Sequence, residues 1–219
     1  MSARRTDRLD GEIVVAHERA LDAAGLERFQ AIYLESFPPA ERAPFEELIE
    51  EIDSGKYDLL TIREKGLLRG FAVSMALSGL DVHLLAYLAV ERHCRSRGLG
   101  GRLVRTLVES LASQGNVGGL LIEVDPEEAE DDRDLRMAAR RIGFYERLGA
   151  QVVDGAAGYR APNLAGEGSL AMRLLCLPIS EPELKGERLR TCVAALLAEG
   201  YGLQETDPLV QDVLRSLVR

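Results

Sequence analysis

The sequence RSRGLGG (residues 95–101) sets the organisation of this chain, because two arginines and three glycines follow shortly after an apolar run at residues 83–90. Such a run predicts a buried strand, and the apolar positions of residues 99–111 have the spacing of an amphipathic helix. At a helix N-terminus the first N–H groups lack partners within the helix, and the helix dipole attracts negative charge. The glycine-rich turn therefore predicts a phosphate site, in particular for the pyrophosphate of a nucleotide-like cofactor.

The composition is ordinary for a soluble globular protein, since 46% of the 219 residues are hydrophobic and 29% are charged. No run approaches the roughly 18 apolar residues that a membrane helix needs, and no apolar signal segment follows the charged N-terminus. The three cysteines are widely spaced and odd in number, which argues against a disulfide framework and favours a reducing compartment. The sequence thus predicts a cytoplasmic protein with no membrane partner.

The charge pattern and the histidines argue against two further classes of function. A net charge of −9 is the opposite of what a nucleic-acid-binding protein usually carries, although it suits a cationic small molecule. No metal site is predicted, because His17, His83 and His93 with Cys94 lack ligand spacing. His93 and Cys94 are adjacent and would point apart in an extended segment.

Hydrophobic periodicity predicts the element order β-α-α-β-β-β-α-β-α-β-β. Strands are expected at residues 12–17, 57–63, 67–77, 81–90, 119–124, 150–153 and 169–177. Helices are expected at residues 26–37 and 40–54, from 99 to near 115, and before residue 149, with a long loop at 154–168. Because hairpins are mixed with one crossover, this order predicts a mixed sheet flanked by helices.

Beyond Pro178 the pattern becomes purely helical. Ser180 is an N-cap candidate with Pro182 in the first turn, and Asp207-Pro208 is a second start signal. Two short amphipathic helices are not stable alone, so we expect them to cap the main domain or to form the subunit contact of a homodimer. The predicted divisions are a disordered lead (residues 1–11), a main domain (12–179) and a C-terminal helical extension (180–219).

Two kinds of nucleotide-binding turn fit the glycines poorly. A P-loop needs a Gly-Lys-Ser/Thr ending, which Gly100-Gly101-Arg102 does not supply. A dinucleotide-binding turn would suit Glu123 or Asp125 at the end of the next strand. However, Leu103 stands where the third glycine or alanine belongs, and residues 91–95 separate the strand from the turn.

A third interpretation of the glycine-rich turn fits better. The pattern Arg95-x-x-Gly98-x-Gly100 resembles the acyl-CoA-binding signature of the GNAT superfamily of N-acyltransferases, in which Arg or Gln is followed at three and five residues by Gly and by Gly or Ala. The segment FYERLG (residues 144–149) resembles the second landmark of that family, an aromatic-Tyr-x-x-x-Gly segment that closes the following helix. The resemblance covers residues 12–177. It implies an α/β (α+β mixed) fold in which helices flank a mostly antiparallel central sheet that is splayed at one point, with the C-terminal helical pair added.

The resemblance also implies acetyl-CoA as cosubstrate and the transfer of its acetyl group to a primary amine, of a small molecule or a peptide, by direct attack in a ternary complex. Tyr145 matches the general acid of the family, and a strand N–H near Leu88 would stabilise the oxyanion. Glu123 is the candidate general base, because burial in an apolar strand raises a carboxyl pKa. The implied cofactor-binding residues are Leu88, Ala89, Val90, Arg95, Ser96, Arg97, Gly98, Leu99, Gly100 and Gly101.

Several alternatives stay open at this stage. Other candidates for the base are Glu35, His83, Tyr87 and a water chain. The acceptor pocket is expected from residues 35–45 and 155–168, with Tyr159 and Arg160 as candidates, and the acidic run at residues 127–132 either steers an amine or is a solvated loop.

The sequence also departs from the family, with Ala138 and Arg141 where Asn-x-x-Ala-x-x-x-Tyr is common and with Ala150 where an aromatic residue commonly follows the glycine. The loss of that asparagine shifts the expected cofactor contacts to the backbone. Two other functions are therefore kept as alternatives: a non-catalytic acyl-CoA-binding module that signals through its C-terminal helices and, less favoured, an NAD-dependent oxidoreductase.

Overall fold

The computed structural model of the chain describes residues 7–9, 13–126, 132–180 and 184–217. The chain divides into two compact units. Unit 1 consists of the residues up to Met75 together with Leu85–Ser113, and unit 2 consists of Ala76–Leu84 together with the residues from Gln114 onward. Among the helices in the described ranges, none is both long and apolar enough to cross a membrane.

Unit 1 is built on strands β1 to β5, of which β5 begins in unit 2. The strands are adjacent in numerical order, and the pairs from β1 to β4 are antiparallel. Lys65 and Gly66, at φ 51° and 78°, form the two-residue turn between β3 and β4, which is the left-handed backbone that such hairpins need. The elements are β1 (Asp7–Leu9), β2 (Ile13–Glu18), α1 (Ala23–Ser36), α2 (Phe45–Ser54), β3 (Asp58–Glu64), β4 (Leu67–Ala76), β5 (Val82–Val90) and α3 (Leu99–Ala112).

An aromatic cluster forms the core of unit 1. The ring of Phe29 on α1 packs edge-on against Phe71 on β4 at 4.3 Å, and Tyr33 packs against Tyr87 on β5 at 5.0 Å. The Tyr33 hydroxyl donates to the carbonyl of Ala43 at 3.0 Å, while the N–H of Ala43 donates to the Tyr87 hydroxyl at 3.1 Å. Aromatic pairs of this geometry add to the stability gained from burial. The cluster thus fixes α1, and the segment before α2, on the sheet.

In unit 2, β6 pairs with β10, and β10 pairs with β7, in both cases antiparallel. Leu174 on β10 lies opposite Glu123 on β6. Strands β8 and β9 form a separate antiparallel ribbon. The elements are β6 (Gly119–Val124), α4 (Asp132–Glu146), β7 (Gln151–Val152), β8 (Arg160–Pro162), β9 (Ser169–Ala171), β10 (Arg173–Pro178), α5 (Gly186–Ala195) and α6 (Pro208–Ser216). The predicted fold class is confirmed: the described residues form a mixed α/β protein with a mostly antiparallel central sheet and six α-helices.

The C-terminal extension (described from residue 184 to residue 217) packs within unit 2. Arg188 on α5 forms an ion pair with Asp81 at 2.5 Å. The Glu199 carboxylate accepts hydrogen bonds from the N–H and the hydroxyl of Ser78, at 3.1 and 2.8 Å. Leu189 and Leu196 are fully buried. Of the two predicted roles for these helices, the structure shows a cap on the chain's own unit 2, and the homodimer stays a prediction.

Two predicted helix starts are wrong. Helix α2 begins at Phe45 and not near Ala40, since a residue that precedes a proline, here Ala43, avoids the helical conformation. Ser180 does not cap α5: its hydroxyl donates to the carbonyl of Val117 at 3.1 Å, and the helix begins at Gly186. Pro182, the other part of that prediction, lies outside the described residues.

The predicted last strand is interrupted, and its first part pairs elsewhere. The N–H of Met172 donates to the carbonyl of Tyr159 at 3.2 Å, so β9 leaves the sheet and pairs with β8 inside the predicted long loop. At the other end of the chain, the predicted lead-in contains the short strand β1, which pairs with β2. The three cysteines are buried and none forms a disulfide, in agreement with their spacing.

Candidate active site

The glycine-rich turn of unit 1 leaves the start of α3 open. Gly98 occupies the N-cap position with φ 80°, a conformation that favours glycine, and it has no side chain to cap the helix. The first hydrogen bond in the helical pattern runs from the N–H of Arg102 to the carbonyl of Gly98. The N–H groups of Leu99, Gly100 and Gly101 therefore have no acceptor within α3. The turn offers these donors, together with the positive end of the helix dipole, to an anion.

A network of ion pairs holds the turn on the β3–β4 hairpin. The guanidinium of Arg97 binds the carboxylate of Glu64, and Arg69 lies between Glu64 and Glu91, with 2.6 Å to the latter. Arg28 on α1 binds the other oxygen of Glu91, also at 2.6 Å. The hydrogen bond from Arg97 lowers the pKa of Glu64. Burial raises the pKa of Glu91, but the hydrogen bond and charge of Arg69 and the charge of Arg28 outweigh it, so that pKa is lowered.

The two arginines of the turn are engaged with protein groups. Arg97 binds Glu64, as above, and the Nε of Arg95 donates to the carbonyl of Val90 at 2.9 Å, while its Nη2 donates to Ser36 at 3.2 Å. Their charges are close to the turn, but their hydrogen-bonding groups are already used in part. An anion at the turn would therefore be held chiefly by backbone N–H groups.

The predicted pantetheine strand is the C-terminal half of β5. Leu88 and Val90 are partly exposed, whereas Ala89 between them is buried. This alternation is that of a strand with one face in the core. The carbonyl of Val90 is the acceptor for Arg95, so the strand and the turn are joined directly. All ten predicted cofactor-binding residues thus lie on one continuous part of unit 1, residues 88–101.

Ser96 stands in the left-handed conformation, at φ 63°, two residues before the N-cap of the open helix α3. A residue with a Cβ pays about 1 kcal/mol or more there, which exceeds the entropy that glycine loses on folding. We therefore expect Ser96→Gly to raise the free energy of unfolding by up to about 1 kcal/mol in urea titrations. Ser110→Gly is the matched control: Ser110 lies inside α3, where the same change should lower stability by about 0.5 kcal/mol. A loss of stability in Ser96→Gly equal to that of the control would contradict the argument from strain.

Glu123 lies in a pocket of two tyrosines in unit 2. The hydroxyl of Tyr159 donates to Oε1 at 2.7 Å, and the hydroxyl of Tyr201 lies 2.9 Å from both carboxylate oxygens. The side chain is closely surrounded, yet the residue keeps partial exposure on β6. Burial raises the pKa of Glu123, and the two tyrosine hydrogen bonds oppose that rise. A carboxylate with a raised pKa in such a pocket is suited to take a proton.

Tyr145, near the end of α4, is buried, with its ring edge-on to Phe144 at 4.9 Å. Its hydroxyl forms no hydrogen bond with the described residues. Burial raises its pKa, and the nearby charge of Arg141 opposes the rise only in part. Arg141 itself binds Asp125. The phenol therefore stays protonated at neutral pH and is available to donate a proton.

The other candidates for the general base and for the acceptor pocket lie in different environments from that of Glu123. Glu35 is exposed on α1. The hydroxyl of Tyr87 accepts a hydrogen bond from the N–H of Ala43 in the aromatic core. Arg160 binds the hydroxyl and the carbonyl of Ser169, so it ties β8 to β9. Tyr159 is fully buried and donates to Glu123. The residues of the predicted acidic run from 127 to 131 lie outside the described part of the chain.

One residue in this group was not predicted. Tyr201 contacts Glu123 across 78 residues of sequence, and nothing in the local pattern around it points to a site. The one available signal is a tyrosine near the end of an amphipathic helix. Tyrosines are common at helix ends whatever the function of the protein.

A cluster of metal-ligating groups lies behind the turn, contrary to the expectation that His93 and Cys94 point apart. The segment is a 3₁₀ turn, which brings ligand atoms of Glu91, His93 and Cys94 within 4.8 Å of one another. The carboxylate of Glu91 is already bound by Arg28 and Arg69, so a cation would share it with two guanidinium groups. This charge arrangement disfavours a metal ion.

With both sites described, the chain can be compared with known proteins. The sequence pattern of the acetyltransferase (GNAT) family matches residues 26–150, which is more than half of the chain. The chain belongs to the GNAT acetyltransferase family. The match includes the glycine-rich turn, Glu123 and Tyr145, and it ends before Tyr159 and the C-terminal extension. No curated protein sequence is similar enough to this GNAT chain to count as a match.

Solved structures resemble this GNAT protein over most of its length. A protein from Bacteroides thetaiotaomicron assigned to the GNAT family is 25% identical, with a TM-score of 0.65 over 81% of this chain and 92% of its own. The ribosomal-protein-S18-alanine N-acetyltransferase of Escherichia coli is 22% identical, with a TM-score of 0.55 over 78% and 96%. An aminoglycoside 6′-N-acetyltransferase complexed with coenzyme A is 19% identical, with a TM-score of 0.60 over 77% and 98%. The last two show the fold.

Proposed function

We propose that this GNAT protein is an acetyl-CoA-dependent N-acetyltransferase that acts on a primary amine. The observation that carries the proposal is the uncapped N-terminus of α3 behind Gly98, which offers several backbone N–H groups to a pyrophosphate. The complex of the related aminoglycoside acetyltransferase with coenzyme A supports the same class of ligand. Leu88 and Val90 at the end of β5 are partly exposed, which supports the proposal that the amide-rich pantetheine arm pairs with this end of the strand.

In the proposed reaction, the amine nitrogen forms a bond to the thioester carbonyl carbon while the carbon–sulfur bond breaks. Glu123 takes the proton that the attacking nitrogen loses, and Tyr145 gives a proton to the leaving thiolate. A strand N–H near Leu88 stabilises the oxyanion. The raised pKa of Glu123 improves its match to an amine proton, and the protonated phenol of Tyr145 is a suitable donor to a thiolate whose conjugate acid has a pKa of about 8–9.

The acceptor is proposed only as a class. The related enzymes named above act on the alanine of a ribosomal protein and on an aminoglycoside, so the fold accommodates different amines. The net charge of −9 favours an acceptor that arrives as a cation. A panel of small amines, aminoglycosides and peptides with free N-termini or lysines is therefore the appropriate set of acceptors.

The cofactor part of the proposal is tested by a pair of substitutions at one position. A Cβ at Gly98 meets open space, so both Gly98→Ala and Gly98→Glu should fold, each with a loss of about 1–2 kcal/mol from the left-handed backbone. Only Gly98→Glu adds a negative charge at the pyrophosphate position. In isothermal titration calorimetry we expect its Kd for acetyl-CoA to rise at least tenfold above that of Gly98→Ala, which corresponds to about 1.4 kcal/mol.

The outcome separates the three functions considered. Equal acetyl-CoA affinity in Gly98→Glu and Gly98→Ala would contradict binding at the turn. Binding without transfer to any amine of the panel would support the non-catalytic acyl-CoA-binding module. An increase in melting temperature with NAD, but not with CoA or acetyl-CoA, would support the oxidoreductase, because only a ligand that binds the folded state stabilises it.

A further inference from the structure

The Glu123 carboxylate is held by two tyrosines that lie beyond the family match. The match ends at residue 150, whereas Tyr159 precedes β8 and Tyr201 belongs to the C-terminal extension. Both hydroxyls donate to the carboxylate, at 2.7–2.9 Å. The part of unit 2 outside the matched region therefore supplies the hydrogen bonds that determine how this side chain is oriented.

The two tyrosines leave acceptor capacity on one oxygen. A carboxylate offers about four lone-pair positions. Tyr159 donates to Oε1, and Tyr201 is shared between Oε1 and Oε2, so Oε2 receives only the shared hydrogen bond. The residue opposite Glu123 on β10 is Leu174, whose apolar side chain has no hydrogen bond to donate to the carboxylate. Oε2 is thus the oxygen with room for a further donor.

Tyr201 reaches Glu123 because the helix before it changes its pitch. Residues Leu196–Gly200 form a π-helical turn that continues α5, and Tyr201 follows directly. One extra residue in a turn rotates the residues after it by about 100° relative to an α-helix. Glu199, within this turn, is anchored separately on Ser78. Turns of this kind are rare and are found often at functional sites.

We infer that Tyr201 is a positioning residue, which orients the Glu123 carboxylate so that Oε2 can take the proton of the acceptor amine. This inference rests on the proposed function. It gives the C-terminal extension a role in activating the acceptor amine. Tyr159 and Tyr201 are the titratable groups in the described chain that hydrogen-bond to Glu123, and both stabilise its ionised form. Loss of either hydrogen bond makes that form less favourable.

The first test is the pH dependence of kcat/KM with saturating acetyl-CoA and the best amine of the panel. In Tyr201→Phe we expect the acidic limb to move to higher pH by about one pH unit, the size expected for one lost hydrogen bond to a charged group. Tyr159→Phe should shift the limb in the same direction. Glu199→Ala is the control, because it loosens the extension at Ser78 without touching Glu123, and its limb should coincide with that of the wild type.

The second test does not use activity. A carboxyl whose pKa is raised on folding contributes stability below its ordinary pKa, and this contribution is lost as the pH rises through the folded pKa. Unfolding free energies of the wild type and of Glu123→Gln are measured in urea from pH 4 to 9. Because glutamine does not titrate, the difference between the two proteins falls with pH as the contribution of Glu123 is lost. In the Tyr201→Phe background the midpoint of the loss should move to higher pH, in the same direction as the kinetic limb.

The results distinguish the inference from the proposed function. Unchanged midpoints in both tests, or an equal shift in Glu199→Ala, overturn the positioning role of Tyr201. If no protein of the series transfers acetyl groups while the stability midpoint still moves, the proposed function fails and the control of Glu123 by Tyr201 stands. Circular dichroism of Tyr201→Phe and Tyr159→Phe verifies that each compared variant is folded.

Discussion

Glu123→Gln should lower kcat/KM for the preferred amine by about 10²–10⁴-fold, the usual contribution of a general base. Glutamine has nearly the same shape, and its carbonyl oxygen can still accept hydrogen bonds from Tyr159 and Tyr201, so the pocket is retained. What is lost is the group that takes the proton from the amine. The measurement is the steady-state rate across pH 5–9 at saturating acetyl-CoA.

The pH profile makes this prediction more specific. In the proposed mechanism the wild type requires ionised Glu123, whose pKa is raised, so its kcat/KM should fall at a pH above the ordinary carboxyl value of about 4.3. In Glu123→Gln this acidic limb should disappear together with the activity. Glu109→Gln is a matched control, since Glu109 is an exposed glutamate near the C-terminal end of α3 and its change should leave rate and profile unchanged. Activity of Glu123→Gln within threefold of the wild type would remove Glu123 from the mechanism.

Tyr145→Phe should lower kcat by about 10²-fold or more, with little change in the Kd for acetyl-CoA. The phenyl ring keeps its edge-on contact with Phe144, and the hydroxyl has no hydrogen bond to a described residue that its removal would break. Stability should therefore change little, while the leaving thiolate loses its proton donor. Rapid-quench or steady-state assays give kcat, and calorimetry gives the Kd.

A second tyrosine provides the comparison for Tyr145→Phe. Tyr57 is also buried, but it belongs to unit 1 next to the end of α2 and is assigned no role in the reaction. Tyr57→Phe should leave both kcat and Kd as in the wild type. The assignment of Tyr145 as general acid would be wrong if its variant kept full kcat and instead bound acetyl-CoA more weakly.

Much of unit 1 could be predicted because its signals are local. The turn at Lys65-Gly66, the end of α2 at Gly55 and the start of α3 after Gly98 depend on backbone conformations that only a few residue types adopt easily. The same is true of the open N-terminus of α3, since its free N–H groups follow from the glycine-rich turn. In unit 2, strand β6 is likewise found where its apolar run predicts it, at residues 119–124.

The errors fall where a distant group binds a backbone or side-chain atom. Ser180 has the composition of an N-cap, but the carbonyl of Val117 accepts its hydroxyl hydrogen bond. The run at residues 169–177 has the composition of one strand, but Tyr159 accepts the N–H of Met172 and divides it. The spacing of residues along the chain holds no information about such partners.

The sequence by itself determined the family and the fold class, because these depend on periodicity and on motifs within short segments, and it predicted the glycine-rich turn as a cofactor site. Tyr145 is selected by its match to the general acid of the family, and Glu123 by its place in an apolar strand. Only the tertiary structure decided the environment of Glu123. Its two hydrogen-bond donors, Tyr159 and Tyr201, come from positions 36 and 78 residues away. A pKa depends on charge, burial and donors in space, and the chain brings these together only when it folds.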